Sequence, residues 1–126
     1  MIKLKRFSKL FKVDDGKIIN NIGYSHKGVK RLKKLLNDLR FDELAFGFQN
    51  RFEELLVEFV EYWVKTTGVK NVVYGGGVFM NVKGNMLLEN SKELRNNFYM
   101  PSAGDESTGI GAAYVCAEKK GFYGEI

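Results

Sequence analysis

The stretch Tyr74-Gly75-Gly76-Gly77-Val78-Phe79-Met80-Asn81 follows a short β-branched run, Val72-Val73, and leads into a segment able to form a helix. Three successive glycines let the backbone turn sharply and come close to another group. A strand, a glycine loop and a helix in that order present free backbone N–H groups to an anion. The spacing fits neither G-x-G-x-x-G nor G-x-x-x-x-G-K-[ST], so the triple glycine reads either as a ligand loop or as a tight structural turn. Asn81, just behind it, either caps the next helix or offers its amide to a nucleotide or a neighbouring loop.

Downstream, a helix is expected over 81–90. Phe98-Tyr99-Met100 then reads as a second short strand, ended by the only proline in the loop Pro101-Ser102-Ala103-Gly104-Asp105. A last helix is expected over 106–120, with Gly121 as its stop. Its early residues, Ser107, Gly109, Gly111, Ala112 and Ala113, are small. Glycines inside a helix cost about 1 kcal/mol each relative to alanine, which is tolerable where another helix or a ligand approaches closely. Strand, helix, strand with so short a crossover implies a parallel pair, so both glycine-bearing loops emerge at the carboxyl end of the sheet. That is where α/β proteins bind ligands. Asp105 either caps the last helix or holds a divalent metal that bridges phosphates. Glu106 is expected to be solvated.

Upstream, residues 10–22 read as a β-hairpin, with Leu10-Phe11-Lys12-Val13 and Lys17-Ile18-Ile19 flanking Asp14-Asp15-Gly16. Tyr24 to Gly28 reads as loop. Val29, Leu32, Leu35, Leu36 and Leu39 recur at helical spacing, with lysines on the other side. Asp42 is expected to cap the longest helix, over 43–67, with Gly68 past its end. Phe48, Phe52, Leu55, Phe59 and Trp63 form its apolar stripe, widened by Leu56 and Val60, and read as core packing. Glu53, Glu54, Glu58 and Glu61 are expected in solvent.

The 126 residues are 44% hydrophobic and 28% charged, an ordinary globular composition for one domain. A hairpin and basic helix fill 1–40 and the α/β core fills 41–121. No apolar run approaches the roughly 20 residues needed to span a bilayer, and no membrane partner is expected. The basic stretch Met1 to Lys12 lacks the apolar region of a secretory signal. The lone Cys116 excludes an intrachain disulfide, suits a reducing, cytoplasmic setting, and is expected to be a buried small hydrophobe. A zinc site of the usual Cys/His type cannot be built from one histidine and one cysteine. His26 sits in a glycine-flanked loop without a visible partner and reads as surface. The net charge of +5 and pI near 9.3 come from Lys3, Lys5, Arg6, Lys9, Lys12 and Lys17, then Lys27, Lys30, Arg31, Lys33 and Lys34. With no aromatic interleaved to stack bases, this reads as a solvated face rather than a nucleic-acid footprint.

Taken together, these residues resemble a known family. The segment from Val72 to Asn81, with Gly84-Asn85 and Leu87-Leu88, is similar to the "LAGGVALN…NG.LL" segment of the O-carbamoyltransferases of the NodU/CmcH type. The segment from Phe98 to Ala113 is similar to their "vqPaaGDaGtalGAA". Gln49, Phe52 and Glu53-Glu54 match the helix before the first motif. The resemblance is strong over 49–117. That family is related to the HypF carbamoyltransferase and to the tRNA threonylcarbamoyl-transfer ATPases, all with the actin-like (ASKHA) ATPase fold.

The resemblance implies an α/β, ribonuclease-H-like lobe with a short mixed sheet, in which the N-terminal hairpin and a parallel βαβ unit are flanked by helices. This chain would be the C-terminal lobe, facing an N-terminal lobe of the same protein or operon. The implied reaction uses ATP and carbamoyl phosphate to make a carbamoyl adenylate, then passes the carbamoyl group to a hydroxyl acceptor. Gly75, Gly76, Gly77, Asn81 and Gly104 would contact the nucleotide. Asp105 would be the acidic ligand of iron or a similar divalent metal. The family's histidine ligands are expected from the missing lobe, because His26 lies in no H-x-x-x-H arrangement. Phe79 and Met80 stand where the family has alanine and leucine. A piece of a larger enzyme, inactive alone and self-associating through an exposed apolar face, is therefore expected. Two rivals stand beside it: a non-enzymatic nucleotide-binding or regulatory module, and a basic nucleic-acid-binding domain.

Overall fold

A computed structural model describes residues 4–121. Lys3 of the basic cluster lies outside them. The order is a 3₁₀ turn (Leu4–Lys9), β1 (Phe11–Asp14), β2 (Lys17–Asn20), α1 (Ser25–Leu36), α2 (Phe41–Thr67), β3 (Asn71–Tyr74), a second 3₁₀ turn (Gly77–Met80), α3 (Val82–Glu89), β4 (Asn96–Tyr99) and α4 (Ser107–Lys119).

Helix α2 joins two hydrophobic clusters. With 27 residues it is about 40 Å long. Its start reaches a cluster of Phe7, Leu10, Ile22 and Leu36, against which Leu44 packs. Its second half supplies Leu56, Val60 and Val64 to a cluster completed by Tyr74 and Leu88. The cap of α2 is Arg40, not Asp42: Phe41 is already helical, and Glu43 Oε2 accepts the Arg40 backbone N–H at 3.0 Å. Asp42 lies in the first turn and pairs with Arg40. Gly68, at φ 73°, closes the far end and donates to the Val64 carbonyl at 2.8 Å, as expected of a C′ glycine.

β1 and β2 pair antiparallel around Asp15-Gly16, both with positive φ (49° and 68°), the two-residue turn that matches strand twist. β3 and β4 pair in parallel, Tyr74 opposite Tyr99, with α3 as the crossover. The expected single mixed sheet is therefore corrected to two separate two-stranded sheets. The hairpin is held to α2 by side chains rather than by a ladder to β3. Arg51 reaches the Phe11 carbonyl, and Tyr62 and Trp63 reach Asp15 and Gly16.

Four further expectations need correction. α1 starts at Ser25 rather than Val29, because Gly28 sits tightly against the Gly23 carbonyl and lets the first turn close over the 20–24 loop. The aromatic stripe of α2 is only partly core: Phe48 meets Phe7 edge to face and Trp63 meets the hairpin tip, yet they remain 41% and 43% exposed. Glu54 and Glu58 are exposed as expected while binding Arg51, but Glu61 is half-buried and accepts the Ser91 hydroxyl at 2.6 Å. Cys116 is exposed because α4 is uncovered along its whole length; a Cβ at Gly109 or Gly111 would meet nothing within 4 Å. Among the described residues no helix is long and apolar enough to cross a membrane.

Candidate functional site

Both glycine loops leave the carboxyl end of the parallel pair. The Met100 N–H donates to the Tyr74 carbonyl at 2.9 Å, so the two loops diverge from adjacent strand ends. Beneath them lies an aromatic floor. Tyr74 and Tyr99 stack with ring centroids 4.8 Å apart, and Phe79 tilts against Tyr74 at 4.7 Å. The Tyr74 hydroxyl donates to Asn97 Oδ1 at 2.9 Å and the Tyr99 hydroxyl to the Asn85 carbonyl at 3.1 Å. Phe79 also tilts against Tyr99, with centroids 6.3 Å apart, and so forms part of this floor.

Gly75, Gly76 and Gly77 are exposed, and a Cβ on any of them would meet nothing within 4 Å. Gly76 has φ 101° and ψ 156°, a region only glycine occupies readily. The loop thus offers bare backbone to a ligand, and the N–H groups opening the 3₁₀ turn have no acceptor within that turn.

Asn81 is engaged through both ends of its side-chain amide. Its Oδ1 accepts the Gly84 backbone N–H at 3.0 Å, which makes it the cap of α3. It also exchanges two hydrogen bonds with Gln49, Nε2 to Oδ1 at 3.0 Å and Nδ2 to Oε1 at 3.1 Å. Gln49 Nε2 in turn donates to Glu53 Oε1 at 2.7 Å. The cap reading of Asn81 is borne out. Gln49 could be picked out in the sequence by resemblance, but its pairing 32 residues away left no local signal. Asn85 donates to the Phe79 carbonyl at 2.7 Å and fixes the 3₁₀ turn, while its Oδ1 is buried without a partner among the described residues.

In the second loop, Ala103 is buried and Gly104 half-buried. Asp105 is not the cap of α4. It is exposed in the preceding turn, and Glu106 occupies the cap position. Glu106 is exposed, as expected, and organises the turn by accepting the Ser102 hydroxyl at 2.9 Å. Hydrogen bonds from its own backbone N–H, from Ser102 and from the Gly104 backbone hold its carboxyl below the usual range. No hydrogen bond joins the two loops among the described residues. Nor do these residues hold any group of three His, Cys, Asp or Glu side chains able to bind a metal. Asp105 can offer one carboxylate, which does not make a metal site by itself.

Burial, helped by Glu89, pushes the Tyr74 phenol up to about 12 from its ordinary 10.0. The same causes, with Tyr74 itself, raise Tyr99. Both hydroxyls stay protonated near neutrality and act as hydrogen-bond donors. The folded state holds the Tyr74 proton more tightly than the unfolded chain does. The stability linked to it is complete below pH 10 and is lost as pH rises toward about 12, on the order of 2–3 kcal/mol. Tyr74→Phe should flatten that alkaline loss in urea titrations across this window; an unchanged slope would contradict it.

The fold and the loops define an α/β unit with a candidate ligand edge at the carboxyl end of its parallel strands. The profile described as carbamoyltransferase N-terminus matches residues 3–114, and the chain belongs to that family. Membership ties it to carbamoyl transfer. No curated protein and no solved structure gives a significant match.

Among the basic residues, Arg31 donates to the Ile22 carbonyl at 2.9 Å and Arg6 pairs with Asp38, so these two serve the fold. Lys27, Lys30, Lys33 and Lys34 are exposed along α1, and so is His26 in its first turn.

Proposed function

We propose that this chain is the C-terminal, ribonuclease-H-like lobe of the nucleotide-binding unit in an ATP- and metal-dependent O-carbamoyltransferase of the NodU/CmcH type. The observation that carries this reading is the emergence of the bare Gly75-Gly76-Gly77 loop and the Gly104-Asp105 turn from neighbouring ends of two parallel strands. The glycine loop would approach ATP phosphates through backbone N–H groups, which needs no side chain and explains the open space around it. Asn81 would act by holding the loop rather than by touching the nucleotide. Asp105 would supply one oxygen to a metal whose other ligands, histidines included, come from an opposing lobe. That metal would polarise phosphate oxygens. The full enzyme would move a carbamoyl group from carbamoyl phosphate through a carbamoyl adenylate to a hydroxyl acceptor, and this chain without the opposing lobe would be inactive. The uncovered Val73, Phe98, Tyr114 and Val115 support self-association in the absence of that lobe.

The test is ATP titration by calorimetry with and without Mg²⁺. Gly77 has ordinary φ and open surroundings, so Gly77→Val should leave the fold intact and weaken ATP binding about tenfold or more. Asp105→Ala should weaken it only when the metal is present. ATP binding that is unaffected by both changes would overturn the site.

A further inference from the structure

We propose that a basic pocket between the first 3₁₀ turn and α1 binds the phosphate group of a small phosphomonoester. The cavity, of about 360 Å³, lies at the cluster that the start of α2 reaches. Leu10 and Ile22 form its base and are 2% and 7% exposed. Lys9, Asn21, Arg31 and Lys34 stand around it as exposed side chains. Lys9 ends the 3₁₀ turn, and Arg31 and Lys34 share one face of α1.

The backbone beneath these groups is fixed. The Asn21 N–H donates to the Leu10 carbonyl at 3.0 Å, and Asn21 Nδ2 donates to the Lys9 carbonyl at 3.3 Å. Arg31 Nη1 donates to the Ile22 carbonyl at 2.9 Å. That bond holds the guanidinium at the cavity and leaves its other donors to a ligand.

What the cations lack is an anion. From Gly16 to Asn37 the sequence holds Lys17, Lys27, Lys30, Arg31, Lys33 and Lys34 and no Asp or Glu, and Met1 to Val13 holds no acid either. Asp38, one turn beyond Lys34, is engaged by Arg6, and Asp14 by Lys12. Lys9, Arg31 and Lys34 form no ion pair with a described residue. Arg31 and Lys34, three residues apart on a helix, repel each other. The helix C-terminus favours a lysine in its last turn, but Lys33 meets that need as well as Lys34. It gives no reason for Lys9 and Arg31 to join Lys34 over one cavity.

The chemistry selects the ligand. A phosphomonoester is largely dianionic above its second pKa of about 6 and offers three strong acceptor oxygens. An arginine fork, two ammonium groups and an amide match both its charge and its oxygens. A carboxylate brings only one charge to the same cations. The apolar base takes the organic part of the ester. A nucleic-acid strand needs a track of cations, whereas Lys27, Lys30 and Lys33 of the same helix do not line the cavity. The pocket is independent of the nucleotide reading, since the glycine loop stands over the other hydrophobic cluster.

Phenyl phosphate is the probe, titrated into the full chain at pH 7.5 by calorimetry and located by amide NMR. It should bind and shift the amides of Leu10, Asn21 and Ile22. Benzoate, with the same ring and one charge, should bind tenfold or more weaker, and inorganic phosphate, without the ring, weaker too. Lys9→Met and Lys34→Met change exposed, unpaired side chains and should keep the urea midpoint while weakening phenyl phosphate tenfold or more. Lys33→Met removes the same charge from the same helix outside the pocket and should change binding less than twofold. Equal weakening by Lys33→Met and Lys34→Met would reduce the site to a diffuse positive field and overturn the proposal. Absence of binding at millimolar phenyl phosphate, or equal binding of benzoate or of inorganic phosphate, would overturn it as well. Gly77→Val should leave phenyl phosphate binding intact; its loss there would put the ester on the glycine loop and sink this pocket without touching the nucleotide reading. A deoxythymidylate strand that displaces phenyl phosphate and is weakened equally by Lys30→Met, Lys33→Met and Lys34→Met would make the face a polyanion track instead.

Discussion

Gly16→Ala is expected to destabilise the protein by about 2–5 kcal/mol, more than the same change at Gly68. Both glycines have left-handed backbones, φ 68° and 73°. At that geometry an alanine costs about 1–2 kcal/mol wherever it sits. The surroundings differ. Around Gly68 a new Cβ meets nothing within 4 Å. At Gly16 it would stand 2.5 Å from the Tyr62 ring and 2.8 Å from the Trp63 ring. Neither ring can retreat freely. The Tyr62 hydroxyl donates to Asp15 Oδ1 at 2.7 Å, and Trp63 Nε1 donates to the Gly16 carbonyl at 3.1 Å. The two rings also meet edge to face, with centroids 5.5 Å apart. Overpacking of that kind adds about 1–3 kcal/mol to the backbone cost. Urea unfolding of Gly16→Ala beside Gly68→Ala measures the difference. Equal losses would mean that the rings give way and the hairpin tip is not seated.

Asp-Gly between Leu10-Phe11-Lys12-Val13 and Lys17-Ile18-Ile19 announces the hairpin and its turn, because the signal lies within a few residues. Gly68 announced the end of α2 in the same local way. The parallel pair followed from strand, helix, strand order, and with it the common edge of both loops. What stayed hidden depends on long-range partners. That Gly16 also needs open space beneath it follows from Tyr62 and Trp63, more than forty residues on. Asn81 looked equally like a cap or a ligand group, and only Gln49, 32 residues earlier, decides how its amide is spent. Asp105 looked like a cap because a carboxylate before small residues usually is one; the turn instead moves that position to Glu106. The single mixed sheet failed because it came with the resemblance: nothing in the hairpin's own residues bonds to β3. The apolar face of α2 is legible from its periodicity, but the exposure of Phe48 and Trp63 is not, since periodicity gives a face its character and says nothing of what lies on it.

Arg51→Leu should cost about 2–4 kcal/mol and loosen the hairpin before the βαβ unit. Arg51 is the one buried charged residue among those described, and it ties α2 to β1. Its Nε and Nη2 donate to the Phe11 carbonyl at 3.2 and 2.9 Å, while Nη1 donates to Glu54 at 2.8 Å and Glu58 at 3.1 Å. Burial disfavours its charge, but the bonds to the two carboxylates outweigh that and raise the guanidinium above its ordinary value. Leucine fills part of the volume and strands the Phe11 carbonyl, a penalty of about 1–3 kcal/mol. It also leaves two carboxylates one helical turn apart with no cation between them, which adds a few tenths. Because Glu54 and Glu58 are each 48% exposed, the ion pairs themselves contribute only about 1 kcal/mol, and Glu54→Gln alone should move the urea midpoint little. Arg51→Lys should recover less than half of the loss, since one ammonium cannot serve a carbonyl and two carboxylates in the planar fork that arginine provides. The spatial pattern is the sharper prediction. Gln49, two residues earlier on α2, holds Asn81 and the far cluster by bonds that do not involve Arg51. Hydrogen exchange of Arg51→Leu should therefore show β1 and β2 losing protection while Val72 and Tyr74 of β3 keep theirs. Uniform loss across both sheets would mean that the two clusters unfold as one unit, and that α2 transmits the damage at the hairpin directly to the glycine loop.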